Sequence, residues 1–72
     1  MEIVYEKDLK ISEDLVVGDE ILIGDMLTKI DKIVTNNSDD LVLHLTIIGA
    51  TFKRRSKMML ILPKKVPVET VK

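Results

Sequence analysis

The stretch Leu41-Val42-Leu43-His44-Leu45-Thr46-Ile47-Ile48 decides the fold class. Leu41, Leu43, Leu45 and Ile47 fall on one side of an extended chain, and Val42, His44, Thr46 and Ile48 fall on the other. A two-residue period belongs to a strand, because successive side chains of an extended backbone point to opposite faces. A helix needs apolar residues at three-four spacing over ten or more positions, and no window of the chain holds that stripe. The abundant Val, Ile and Thr also favour strands. The expected fold class is all-β.

The neighbouring segments extend this pattern. Asn36-Asn37-Ser38-Asp39-Asp40 is a hairpin loop, since short polar side chains bond nearby backbone. Met26 to Thr35 reads as a strand with a fault in its phase: Thr28 and Ile30 share a face, but Ile33 is out of step. An extra residue near Asp31-Lys32, a β-bulge, restores Ile33 to the core side and bends the strand. Gly24-Asp25 supplies a hairpin turn to a strand over Glu20 to Ile23. Gly18 suits a positive φ, and Asp19 can bond its own backbone just beyond it. Ser12-Glu13-Asp14 either caps one helical turn or bends the chain, and Ile3-Val4-Tyr5 reads as a short first strand. Toward the C-terminus, Gly49-Ala50 breaks the long strand, and Thr51 to Arg55 reads as a short strand or bent hairpin arm. Lys57 to Leu62 forms another strand closed by Pro63, and Val66 to Val71 is extended, with Pro67 confining it to an edge.

Leu15-x-x-Gly18-Asp19-x-Ile21, then Lys29-Ile30-x-x-Ile33, an Asx-rich loop and an alternating strand together resemble the opening of Src-homology-3-like small barrels. Pro63 to Val71, with its Val-x-Val, is similar to their final short strand. The resemblance runs from Leu15 onward and implies a small antiparallel barrel of five or six strands. It implies architecture and not activity, since such barrels bind nucleic acids, dock proteins or form parts of enzymes. Members that read proline-rich ligands need an aromatic-lined groove, and this chain has no Trp and only Tyr5 and Phe52, so that activity is not expected.

A chain of 72 residues is expected to form one domain, 1–72, with a thin core. With no Cys and one His, neither a disulfide nor a structural zinc is expected, and no cofactor. The acidic N-terminus lacks the basic and apolar regions of a signal peptide, and apolar runs such as Met58 to Pro63 fall far short of the roughly 18 residues of a membrane span. The expectation is a cytoplasmic protein with no membrane association.

Charge is unevenly distributed. Residues 1–40 hold eleven acids and four bases; residues 41–72 hold one acid and seven bases. Lys53, Arg54, Arg55, Lys57, Lys64 and Lys65 could form a patch that contacts phosphates, which makes backbone-directed nucleic-acid binding one reading. Base stacking would rest on Phe52 alone. The competing reading is internal: these cations answer the acids of the first half across the sheet, or guard a strand edge.

Catalysis is not expected. His44 has no partner of nucleophile or metal-ligand type in the sequence and reads as a strand histidine. The Asn36 to Asp40 loop lacks the central Gly and distal Glu of a calcium loop. Nothing fixes the separation of Asp19, Glu20, Asp25 and Asp31 for acid-base work.

The apolar content is more informative. Hydrophobic residues make up 46% of a chain with room for only a small interior. Met58-Met59-Leu60-Ile61-Leu62 presents apolar side chains to both faces of one strand, where a half-exposed strand would alternate with polar residues. Val42, Ile48, Met59 and Ile61 are therefore the expected protein-contact residues, for self-association or docking on a partner. The alternative is that Ile3, Tyr5, Leu9 and Ile11 fold over this face and complete the core.

Overall fold

The computed structural model describes residues 6–48 and 56–71. They form six strands: β1 (Lys7–Ile11), β2 (Glu20–Ile23), β3 (Met26–Thr35), β4 (Leu41–Ile48), β5 (Lys57–Leu62) and β6 (Pro67–Val71). A single 3-10 turn, Ser12–Asp14, follows β1. All pairings are antiparallel, and the strands form one sheet in the order β1-β6-β2-β3-β4-β5. Among the described residues no helix is long and apolar enough to cross a membrane.

The expected all-β class is observed. The expected closure is not: the ladder does not return from β5 to β1, so among the described residues the sheet is open and these two strands are its edges. The segments over Ile3 to Tyr5 and Thr51 to Arg55 lie outside the described residues. The first strand among the described residues is Lys7–Ile11, where Leu9 and Ile11 alternate with Lys10. Pro67 does not make β6 an edge, since β6 lies between β1 and β2. Proline is accommodated there because it opens the strand, and β2 meets β6 only at Ile21↔Thr70, beyond reach of the missing N–H.

The bulge in β3 is present. Pairing with β4 passes from Ile30↔Leu45 to Lys32↔His44, which leaves Asp31 as the extra residue. Ile33 then faces Leu43 and packs against the core. The Gly24-Asp25 hairpin is also present: Gly24 has φ 61° and Asp25 keeps a negative φ, as in a two-residue turn with glycine first. Gly18 has φ 98° in the turn before β2. Asp19 acts opposite to expectation, since its Oδ2 accepts from the Val16 amide behind it at 3.0 Å and from Lys10 Nζ at 3.1 Å.

The core lies on one face of the sheet. Leu15, Ile21, Ile30, Leu41, Leu43 and Leu45 are buried, and Ile23, Ile33, Met58, Leu60, Leu62 and Val68 pack around them. Fully burying a side chain such as Leu43 contributes about 1.5–3 kcal/mol. Ser12 ties the β1–β2 connection to residues 63–66. Its amide donates to Val66 O at 2.8 Å, and the Glu13 amide donates to Lys64 O at 3.0 Å. The buried Ser12 hydroxyl caps no helix; it donates to Pro63 O and accepts from the Val66 amide at 3.3 Å. Of the two readings for this segment, a bent chain with one tight turn is the one found.

Candidate protein-contact surface

β3, β4 and β5 build the site because their pleats are in phase. Residues directly opposite each other share a face. Leu41, Leu43 and Leu45 face Leu62, Leu60 and Met58 on the core side. The other face therefore receives three cross-strand rows: Val34–Val42–Ile61, Lys32–His44–Met59 and Lys29–Thr46–Lys57. The bulge at Asp31 sets the composition of this face, since it turns Val34 outward on the same step that turns Ile33 inward.

The two sides of β5 differ in burial. Met58, Leu60 and Leu62 are half-buried against the core, whereas Met59 is 64% exposed and Ile61 59%. Their outward neighbours are half-buried Val42 and His44 on β4 and exposed Val34 on β3. Three of the four expected contact residues, Val42, Met59 and Ile61, thus come together. Ile48 does not join them. It sits at the far end of β4 opposite Leu27, which itself faces Leu22, and the polar row through Thr46 lies between. Val34 belongs to the patch and was missed; the phase shift at Asp31 is the signal that points to it. Leu9 and Ile11 do not cover this face, because they are exposed on β1 at the opposite edge of the sheet. Ile3 and Tyr5 lie outside the described residues.

A polar cluster borders the patch. Thr46 Oγ1 donates to Asp31 Oδ2, and Lys57 Nζ lies 3.5 Å from the same oxygen. The Thr46 hydrogen bond holds the Asp31 carboxyl below its ordinary value; partial burial opposes this, and the charges of Lys57 and Lys29 add to the lowering. An open groove beside the cluster is lined by His44, Leu45, Lys57, Met58 and Met59. His44 is half-buried on this outer face, as its place in the strand pattern requires.

Lys53, Arg54 and Arg55 lie outside the described residues. Lys57 opens β5 and Lys64 lies in the turn two residues past its end, roughly 20 Å away at strand rise. Each meets an acid from the first half of the chain: Lys57 meets Asp31, and Lys64 meets Asp39 at 2.9 Å. Lys65 is exposed in the turn that follows β5. The Asn36 to Asp40 segment is a hairpin loop in which Asn36 Oδ1 accepts from the Ser38 and Asp40 amides, and Asp39 takes φ 65°. Among the described residues no cluster of three or more His, Cys, Asp or Glu is placed to hold a metal ion. No protein-family model, no curated protein and no solved structure matches the chain.

Proposed function

We propose that this protein is a small, non-catalytic binding module of the cytoplasm that associates with protein through the outer face of β4 and β5. The observation that carries the reading is the exposure of Met59 and Ile61 beside Val42 and Val34, on a strand whose other face is already committed to the core. A contiguous apolar patch on a small protein marks an interaction site, and methionine adapts to the surface it meets. The meander β2–β5 with β6 returning beside β2 is compatible in strand order with a Src-homology-3-like small barrel, a likeness of architecture that carries no activity by itself. Protein contact is favoured over polyanion binding because Lys57 and Lys64 are separated and each already faces a carboxylate.

The test is the stability of Met59→Lys and Ile61→Lys, measured by thermal unfolding at several protein concentrations. At a true contact surface either change alters intrinsic stability by less than about 1 kcal/mol and lowers retention on a phenyl matrix. A concentration-independent loss of several kcal/mol would show that the chain itself covers these side chains, and would overturn the reading.

A further inference from the structure

We infer that the occupant of this surface is a second copy of the chain, joined edge to edge through β5 with Met59 opposite Met59 of the other copy. The inference rests on the docking reading above and names its partner.

β5 is bonded to β4 on one side, and among the described residues its other side has no backbone partner. The phase of the ladder follows from the bond between the Ile47 amide and Ser56 O at 2.8 Å. In an antiparallel pair, residues alternate between those that bond the neighbour and those that point away. Ser56, Met58, Leu60 and Leu62 therefore bond β4, and Lys57, Met59 and Ile61 direct their N–H and C=O groups to the open edge. The same three residues carry the side chains of the outer face.

The two edges of the sheet are not equally guarded. β1 interposes Lys7, Asp8 and Lys10 among its apolar residues, whereas β5 carries a single charge, Lys57 at its start, and neither charge nor proline from Met58 to Leu62. A bare edge of this kind recruits another strand. Among the described residues one antiparallel register satisfies all three outward N–H and all three outward C=O groups on each copy: Met59 opposite Met59, and Lys57 opposite Ile61 in both directions. Shifting two residues toward Pro63 loses an N–H donor and runs into Ser12, whose hydroxyl already donates to Pro63 O. Charge selects the same orientation. A parallel seam would set Lys57 beside Lys57, whereas the antiparallel seam holds the two amines about 14 Å apart, beyond a Debye length. The result is one continuous sheet of twelve strands, with a shared outer row His44–Met59–Met59–His44. A seam of five residues a side falls below the roughly 1,200 Å² of standard interfaces, so the dimer is weak and exchanging.

The chain has no cysteine, so single substitutions report the register without interference. Facing residues of a hydrogen-bonded pair have Cα atoms about 5.5 Å apart, within disulfide range. Under mild oxidation Met59→Cys should cross-link at least about tenfold faster than Ile61→Cys, whose partner cysteine lies four residues out of register. A mixture of Lys57→Cys and Ile61→Cys should give the mixed disulfide. Sedimentation of the wild-type chain up to about 1 mM should show a monomer–dimer equilibrium that Met59→Lys abolishes. Equal cross-linking rates at positions 59 and 61, or species that grow beyond a dimer by pairing β5 with β1, would overturn the inference. A strict monomer in which Met59→Lys keeps its stability would overturn self-pairing alone and leave the surface to a foreign protein. A large intrinsic loss of stability in that variant would remove the docking reading as well.

Discussion

Replacing Ser12 by Ala should be far more damaging than its small size suggests. Ser12 is 1% exposed, and its hydroxyl both donates to Pro63 O and accepts from the Val66 amide at 3.3 Å. Alanine removes both bonds and leaves two main-chain groups in a partly buried turn without that partner. A net bond contributes about 1 kcal/mol, and a stranded buried group costs a further 1–3 kcal/mol. The Val66 bond is long and weighs less, so the expected total is about 2 kcal/mol. The main-chain bonds from Ser12 to Val66 and from Glu13 to Lys64 remain, so the clasp loosens without opening. For a domain of this size the loss corresponds to a fall in Tm of roughly 8–16 °C. Urea denaturation followed by circular dichroism is the assay, with m expected to stay constant while the midpoint falls. Ser38→Ala is the control, because Ser38 is exposed in the Asn36 to Asp40 loop and should change stability by less than about 0.5 kcal/mol. If Ser12→Ala cost no more than Ser38→Ala, the clasp would contribute nothing and the reasoning from burial would be wrong.

Other substitutions probe the core, the turn and the polar row. Leu43→Ala empties the centre of the buried cluster and should cost about 2–5 kcal/mol in chemical denaturation. Gly18→Ala meets no neighbouring atom but forces a side chain into φ 98°, and should cost about 1–2 kcal/mol in the same assay; an unchanged midpoint would refute the claim that the turn requires glycine. Asp31 has a lowered folded pKa, so its contribution to stability is complete above the ordinary carboxylate range and is lost as pH falls through the folded value. The difference in Tm between wild type and Asp31→Asn should therefore be constant near pH 6 and vanish in strong acid; a difference that grew on acidification would have the wrong sign.

Much of this molecule is legible along the chain. The alternation in Leu41–Ile48, the hairpin at Gly24-Asp25, the stop at Pro63 and the bulge near Asp31 are all local: each depends on a few consecutive residues and the backbone angles they allow. Even the two-faced character of Lys57–Leu62 follows from its run of apolar side chains. Adjacency is not local, and most of the expectations that failed were of this kind. Pro67 suggests an edge, but β6 lies between two strands, because only the full sheet decides which segments are neighbours. Ile48 shares a face with Val42 yet is kept from the patch by the Asp31, Thr46 and Lys57 row, a grouping drawn from three strands. Ser12 reads as either a cap or a bend, and neither reading shows that its hydroxyl holds residues 63–66, more than fifty positions away. Periodicity determines which side of a strand is apolar; the order of strands, set by the sheet as a whole, decides which of those sides the protein buries and which it leaves exposed.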